Sequence, residues 1–487
     1  MHRLIARDAI SCASETGNYT SALQWSDQGS SQIWNWLFHS RLSICEGSAT
    51  DPVIARKLKA RSPWIDSWAK PQQGEPDYAL RDGQEFYLAI PGYNRLPGLE
   101  RFWRPKTPAE IISLSEVLGG PIVYLNVNRY SSHALAVLPG LDDVVHIPLP
   151  DLGNTPMLHA LSVEFMKSPQ TFLQEGSLMQ ELWERLGHTV PKPGQRPTPS
   201  VDFQVSGALF LEYLWIVVVK PILDGLGIQR AQQATADMPR IWWCPSGPLN
   251  GLPIHAAGCY TDDGQGPVIS DYVVSSYFPS ASALTYATRP EDPSQKFSLL
   301  TIANPTGAGL PGTEWELEKI KTHTTTQELT RGDVTVKKVK KGMQNASWAH
   351  FACHGVTNPD KPWESALILA NHTRLSLREI SDMSLPHAEF AYLSACQTAK
   401  GVVQAPDQSA HLSTGMLACG YRGVIGMMWQ ISDEYVPFVA DRVYAKMLEG
   451  RPDYKRAACA LHDAVLALRK EPGVGFHTWL PFIHVGV

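Results

Sequence analysis

The chain has 487 residues and a formal net charge of −5 at pH 7, because 42 lysines and arginines stand against 47 aspartates and glutamates. Hydrophobic residues make up 44% of the sequence and charged residues 18%. This excludes a largely disordered chain, since disorder goes with low hydrophobicity and high charge. At roughly 100–200 residues per domain, the length predicts about three domains. The mildly acidic balance argues against a nucleic-acid binder held by bulk positive charge.

The first residues are predicted to form a helical segment. Residues 3 to about 60 carry apolar side chains at helical spacing, broken by a glycine turn at Thr16–Asn18. Ile33, Trp36 and Leu37 stand at i, i+3 and i+4 and share one helix face. A helix–turn–helix pair cannot bury such a face alone, so we expect it to dock onto the rest of the chain or onto further repeats.

Between about residues 80 and 290 the pattern is mixed. Ile122–Asn128 and Ile241–Pro245 are predicted strands, and Phe172–Gly187 and Gly207–Gly225 are predicted helices. The longest apolar run, residues 208–219, is too short to cross a bilayer and contains a glutamate, so it is predicted to be a buried helix.

From Lys296 onward, strands and helices alternate more regularly. Apolar strands separated by helices are typical of a mostly parallel sheet with both faces covered. The predicted order is the strand SLLTIAN, the helix TEWELEKIKTH, the strands VTVKKV, WAHFACHG, ALILA and EFAYLSAC, the helix HLSTGMLACG, the strand RGVIGMMW, and the helices DEYVPFVADRVYAKMLEG and YKRAACALHDAVLALRK.

The eight cysteines are scattered and none stands in a C-x-x-C pair. This spacing predicts neither a zinc site nor a disulfide framework, so we expect no metal and no cofactor. The N-terminus lacks the apolar core of roughly 7–15 residues that marks a secretory signal. We therefore expect reduced thiols, no membrane span and a cytoplasmic location.

One glycine-rich motif points to a different chemistry. Gly307–Gly312 reads G-x-G-x-x-G, and Asp333 follows about 20 residues later, as in a dinucleotide-binding fingerprint. Pro311 argues against it, because proline removes a backbone N–H where such groups meet a pyrophosphate. The sequence Thr313–Glu316 also explains the helix start locally, as a capping box. A nucleotide-binding oxidoreductase is the weakest of the functions considered.

Two strand ends carry a stronger candidate site. His354 ends the predicted strand WAHFACHG, and Cys396 ends EFAYLSAC. Ligands bind where parallel strands end, and a helix near residues 375–383 can connect the two strands side by side. A thiol and an imidazole in one crevice suit nucleophilic catalysis. The N–H groups of Gly355 and Cys396 would then stabilise an oxyanion.

Other residues near these strands have simpler interpretations. Cys353 points to the face opposite His354, because strand side chains alternate, and is predicted to be a core thiol. His350 lies on the same face as His354 but roughly 13 Å away, so it is predicted to be packed or hydrogen-bonded. His255 is predicted to be buried and structural. Chance pairs of strand-end residues are common, and geometry alone leaves the Cys396–His354 pair open.

The ordered motifs of the second half resemble the CHAT domain, a caspase-like cysteine peptidase unit of the separase and caspase clan that often follows TPR repeats. The similarity runs over roughly residues 85–487 and is nearest to CHAT proteins of mushroom-type fungi. The stretches that carry it include LWIVVVKPILDGLGI (214–228), IWWCPSGPLNGLPIHAAGCY (241–260), AHFACHG (349–355), LSACQTAKG (393–401), the run 406–433, and WLPFIHVG (479–486).

The resemblance implies an α/β fold, with a caspase-like, mostly parallel sheet flanked by helices in two tandem halves. It implies a TPR-like helical segment at 1–75, a non-catalytic half at 76–290 and a catalytic half at 291–487. His354 matches the family's catalytic histidine, Cys396 its nucleophile and Gly355 its oxyanion glycine. The implied function is regulated endoproteolysis of a protein substrate, with the N-terminal helices available to a protein regulator.

Substrate preference is predicted less sharply. Ser394, Trp429 and Asp433 are the candidate pocket residues. Asp433 would face a basic substrate side chain or would cap the following helix, and Trp429 would wall a pocket or pack in the core. Gln408 departs from the acidic residue common in the family. The alternative function is a CHAT-fold interaction or scaffold module with little peptidase activity.

Overall fold

A computed structural model describes residues 2–29, 38, 105–153, 155–169, 172, 186, 199–231, 235–261, 265–303, 311–356, 358, 364–394, 412–429, 431 and 434–487. Its strands are β1 (Ile122–Asn126), β2 (His133–Val137), β3 (Val145–Pro148), β4 (Arg240–Pro245), β5 (Val274–Tyr277), β6 (Leu299–Ala303), β7 (Gln327–Thr330), β8 (Trp348–Ala352), β9 (His354–Val356), β10 (Ala366–Ile368), β11 (Arg374–Ser376), β12 (Phe390–Leu393), β13 (Gly423–Met427) and β14 (Phe482–Gly486).

The α-helices lie before, between and after these strands. They are His2–Glu15, Tyr19–Gly29, Pro108–Leu118, Thr155–Lys167, Pro199–Leu214, Lys220–Gly225, Ala281–Ala287, Pro311–Lys321, Val336–Asn345, Leu377–Ser381, Leu412–Cys419, Val436–Met447, Ala457–Leu468 and Phe476–Trp479. Within the described ranges, none of them is both long and apolar enough to cross a membrane.

The central element of the fold is one continuous sheet. Across the described ranges, eleven strands pair in the order β3-β2-β1-β4-β5-β14-β13-β12-β8-β6-β7. β1, β4, β5 and β14 run parallel to one another, and β13, β12, β8, β6 and β7 form a second parallel block. β8, β12 and β13 are buried along their whole length, which is typical of strands covered by helices on both faces. The expected fold class is confirmed.

The C-terminal strand β14 joins the two parallel blocks. It pairs antiparallel with β13, from Gly423 opposite Gly486 to Met427 opposite Phe482, and parallel with β5. Strands from both sides of residue 290 therefore share one sheet. No strand is predicted from the sequence at β14, and the boundaries of the two halves stay a prediction.

The N-terminal helices dock onto this sheet. His2–Glu15 and Tyr19–Gly29 pack against each other and against β1, and Tyr19–Gly29 also packs against β2 and the helix Pro108–Leu118. Buried Asp27 accepts hydrogen bonds from the Tyr124 hydroxyl at 3.0 Å and the Ala281 N–H at 2.6 Å. The expected docking onto the rest of the chain is confirmed, while Ile33, Trp36 and Leu37 lie outside the described residues.

The prediction for VTVKKV was wrong. These residues begin the helix Val336–Asn345, and the strand beside β6 is β7. The Thr335 hydroxyl caps the helix by accepting from the Lys338 N–H. Val339 and Met343, four residues apart, are buried on one face, and the helix contacts β6 and β7. Short β-branched runs favour a strand, but the cap and the helical spacing prevail here.

The segment ALILA forms a strand outside the main sheet. Its residues 366–368 are β10, which pairs antiparallel with β9 and β11 in a separate three-stranded sheet. WAHFACHG accordingly divides into β8, in the main sheet, and β9, in the small one. The small sheet lies between β8 and β12 along the chain.

The predicted elements of the earlier region are largely confirmed. The strands at Ile122–Asn128 and Ile241–Pro245 appear as β1 and β4. The apolar run 208–219 is helical and mostly buried, with a π-helical turn at Trp215–Val219. Of the predicted helix Phe172–Gly187, only residues 172 and 186 are described.

Candidate active site

The two strands that lead to the predicted catalytic residues are neighbours. β8 and β12 pair in parallel, with Phe351 opposite Leu393, and the Ser394 N–H donates to the Phe351 carbonyl at 3.0 Å. The expected side-by-side placement is confirmed. His354 stands three residues after Phe351, and Cys396 three residues after Leu393. Cys396 itself lies outside the described residues.

His354 stands where the chain passes from the main sheet to the small one. It opens β9 opposite Ile368 of β10, and Gly355 lies opposite Leu367. Both His354 and Gly355 are half-buried, so part of each residue remains accessible to a ligand. The helix Leu377–Ser381 follows β11 and precedes β12, as expected for the connection. A capping box between Ser376 and Glu379 starts it.

The residues with simpler interpretations lie where the sequence predicts. Cys353 is buried, and His350 is 1% exposed, with Nδ1 3.2 Å from the Tyr444 hydroxyl. His255 bonds through Nδ1 to the Tyr277 hydroxyl and through Nε2 to the Leu480 carbonyl, both at 2.9 Å. Burial lowers the pKa of His255 to about 4, so it is neutral near pH 7. The predictions for Cys353 and His350 are confirmed, while His255 is hydrogen-bonded as a structural residue but only half-buried.

The predicted capping box at Thr313–Glu316 was wrong. The helix begins at Pro311, so Thr313 is already inside it. The Glu316 carboxylate is buried and accepts hydrogen bonds from the Ser394 hydroxyl, at 2.8 Å to Oε1 and 2.9 Å to Oε2. Ser394, predicted to line a substrate pocket, thus directs its hydroxyl toward the interior.

Sequence reasoning missed Glu316 as part of this site. The capping interpretation overlooked the position of Glu316 on its helix. Glu316 stands four residues before Ile320, so both residues lie on the buried face of the helix. An acidic residue on an apolar helix face needs polar partners, because an isolated buried charge is strongly disfavoured. The Ser394 hydroxyl, directly after β12, is such a partner.

Two buried phenols surround this carboxylate. Burial, together with the charge of Glu316, raises the pKa of Tyr392 and of Tyr444 well above the usual value for tyrosine. Both are therefore neutral near pH 7. Among the described residues, no group of three or more histidine, cysteine, aspartate or glutamate side chains is arranged to hold a metal ion.

Comparison with known families identifies the chain. The CHAT domain model matches residues 209–487, which is more than half of the chain. The chain belongs to the CHAT domain family. The matched range of this CHAT chain starts in the helix Pro199–Leu214 and includes every strand from β4 to β14.

Solved structures similar to the CHAT chain include peptidases. One is the Saccharomyces cerevisiae separase–securin complex, with a TM-score of 0.45 and 13% identity over 88% of this chain and 35% of the matched chain. The CHAT chain thus spans about a third of that matched chain. Another is the Porphyromonas gingivalis RgpB pro- and mature domain complex, with a TM-score of 0.38 and 11% identity over 66% of this chain and 76% of that one. A comparison with curated protein sequences finds no match.

Of the two remaining predicted pocket residues of the CHAT chain, Trp429 is described and Asp433 is not. Trp429 is 4% exposed, donates its indole N–H to the His477 carbonyl at 3.0 Å, and packs edge-to-face on Phe165. This is the core packing that the sequence left open as an alternative. Asp433 lies outside the described residues, as do Gln408 and residues 307–310 of the glycine-rich motif.

Proposed function

We propose that this CHAT protein is a cysteine endopeptidase that cleaves a protein partner, with Cys396 as nucleophile and His354 as general base. The pairing of β8 with β12 is the observation that carries the proposal. Phe351 and Leu393 pair with each other at the carboxyl ends of these neighbouring parallel strands. Residue 354 follows Phe351 by three positions, and residue 396 follows Leu393 by three positions. Functional groups converge at this edge of a parallel sheet.

The chemistry follows from these two side chains. His354 takes the thiol proton of Cys396, and the thiolate attacks the scissile carbonyl carbon. The backbone N–H groups of Gly355 and Cys396 would stabilise the oxyanion. As the C–N bond breaks, the imidazolium returns its proton to the leaving amine, and an acyl-enzyme remains. Water, deprotonated by His354, then attacks the thioester, and the carboxylic acid product leaves as the thiol is restored.

A protein regulator would bind the N-terminal helices. Besides the bonds of Asp27, the Ser14 hydroxyl lies 2.9 Å from His133 Nε2, and Asn128 Nδ2 donates to Asp8 Oδ1 at 2.8 Å. These contacts fix the helices on the sheet, so a partner on their outer face would be held against the peptidase unit. Trp25, 40% exposed on the second helix, is an apolar group available to such a partner.

A peptide-library digest tests the peptidase proposal. Wild type, Cys396→Ala, His354→Ala and Cys353→Ala are incubated with the library, and new termini are identified by mass spectrometry. Cys353→Ala is the matched control because it removes a buried thiol one residue from His354. We expect cleavage by wild type and Cys353→Ala only. Equal cleavage by wild type and Cys396→Ala would contradict the proposal, and stable peptide capture without cleavage would favour the scaffold alternative.

A further inference from the structure

A buried carboxyl group contacts the chain two residues before the predicted nucleophile. The Glu316 side chain is 2% exposed, and both of its oxygens accept hydrogen bonds from the Ser394 hydroxyl. Ser394 stands at the end of β12, two residues before Cys396. The hydroxyl oxygen lies 2.8 Å from Oε1 and 2.9 Å from Oε2 of this carboxyl group, so the contact attaches the residue after β12 to the helix Pro311–Lys321.

His350 lies beside Glu316 on a second side. His350 Nε2 lies 3.2 Å from Glu316 Oε1, a close polar contact whose direction does not satisfy a hydrogen bond. His350 stacks on Tyr392 at 4.9 Å between ring centroids, and its Nδ1 lies 3.2 Å from the Tyr444 hydroxyl. The carboxylate is thereby enclosed between its own helix, β8, β12 and the helix Val436–Met447.

This cluster spans the two strands that lead to the site. His350 is on β8, four residues before His354, while Tyr392 and Ser394 lead to Cys396. A buried carboxylate costs several kcal/mol unless polar groups surround it. The polar contacts of Glu316 reach Ser394, directly after β12, and His350 on β8.

We propose that Glu316 is a positioning residue for Cys396, acting through the Ser394 hydroxyl. The bonds to Ser394 fix the backbone two residues before the thiol and the amide that catalysis would use. This inference rests on the proposed function of Cys396. A displacement of about 1 Å at such a group can reduce the catalytic rate on the order of a hundredfold, because the reacting atoms lose their approach geometry.

Variants of the hydroxyl separate positioning from general stability. Ser394→Ala removes the bonds to Glu316, Ser394→Thr retains a hydroxyl, and Glu316→Gln removes the charge but retains one oxygen. Ser115→Ala is the matched control, since it deletes a buried hydroxyl that donates to the Ile112 carbonyl at 2.7 Å in the other half of the chain. Each variant is compared with wild type at equal folded fraction.

Three readouts are measured on the full chain. On a cleaved peptide, we expect Ser394→Ala to lower kcat roughly ten- to a hundredfold with KM within about twofold, and Ser394→Thr to restore most of the loss. We expect Cys396 to react more slowly with iodoacetamide in Ser394→Ala and Glu316→Gln, as followed by peptide mass spectrometry. Amide hydrogen exchange of residues 395–400 should be faster in both variants than in Ser115→Ala.

The readouts distinguish the failure of each proposal. Unchanged exchange at 395–400 and unchanged iodoacetamide reactivity in Ser394→Ala would overturn the role of Glu316, whatever the peptidase activity. Faster exchange, with no difference in cleavage between wild type and Cys396→Ala, would leave the attachment intact and overturn the peptidase function. A loss in Ser394→Ala that Ser394→Thr does not restore would also count against the hydroxyl.

Discussion

Arg422 connects the segment that follows the helix Ala281–Ala287 to strand β13. It is 4% exposed, precedes β13, and donates hydrogen bonds to the carbonyls of Ala287, Arg289 and Pro290. Ala287 ends the helix Ala281–Ala287, and terminal carbonyls of a helix lack partners within it. The guanidinium also lies 5.8 Å from the centre of the Tyr454 ring. Arg422→Ala removes all of these contacts at once.

The expected loss of stability follows from these contacts. A hydrogen bond to a charged group contributes about 1.5–3 kcal/mol. The three bonds are not additive, because water enters the space that the side chain leaves, and the cation–π contact adds roughly 0.5–1 kcal/mol. We therefore expect Arg422→Ala to lower the free energy of unfolding by about 3–5 kcal/mol. Arg422→Lys should lose less, since an ammonium keeps the charge but lacks the fork that reaches several carbonyls.

Urea unfolding followed by tryptophan fluorescence measures this loss. Arg442→Ala is the control, because Arg442 is exposed on the helix Val436–Met447 and its guanidinium stacks 3.6 Å from the Phe438 ring centre. We expect the control to lose at most about 1 kcal/mol. If Arg422→Ala lost no more than Arg442→Ala, the interpretation of Arg422 as a stabilising link between residues 287–290 and β13 would be refuted.

Two further predictions concern docking and backbone strain. Burial raises the pKa of Asp27 above its usual 3.8, so wild type contains a stability component present at acidic pH and lost as pH rises through the raised pKa. Asp27→Asn should remove this pH dependence in urea unfolding as the pH is raised from 3.8, and an unchanged slope would contradict it. Gly420 has φ +138, and a Cβ there would lie 2.2 Å from the Leu385 carbonyl oxygen. Gly420→Ala should therefore lose clearly more stability than Gly450→Ala, where φ is +71 and the space is open; equal losses would contradict the clash.

Much of the fold is predictable from local pattern. The strands β8, β12 and β13 are continuous apolar runs, and the helices Ala457–Leu468 and Leu412–Cys419 are bounded by polar or glycine residues. Segments of this kind form the predicted strand or helix because burial and local propensity favour the same structure. Their order along the chain suffices to indicate a mostly parallel sheet.

The misassigned elements depend on partners that are distant in sequence. The position of β14 is set by pairing with β13 and β5, and β5 lies about 200 residues away, a separation that local periodicity does not register. ALILA has the composition of a strand in either sheet, and only the pairing of β10 with β9 decides which one. For VTVKKV the error was instead a local one. A helix cap was present in the sequence, but the prediction gave more weight to the β-branched residues.

The residues of the candidate site were also predictable only in part. His354, Gly355 and Cys396 could be named from strand ends because parallel sheets gather ligands there. Glu316 was assigned to a local cap, although its carboxylate bonds to Ser394, 78 residues further along the chain. Trp429 could not be placed in core or pocket without knowing that Phe165 packs against it. Contacts of this kind arise only when the sheet has formed.

The kcat/KM of purified full-length variants on one cleaved peptide tests the central claim most directly. The account predicts that Cys396→Ala and His354→Ala each lose at least about a thousandfold, since residues of one nucleophilic unit fail together. Cys353→Ala should stay within about threefold of wild type, because buried thiols act as small core residues. A Cys396→Ala variant with wild-type kcat/KM would contradict the assignment of Cys396 and His354 as the catalytic pair.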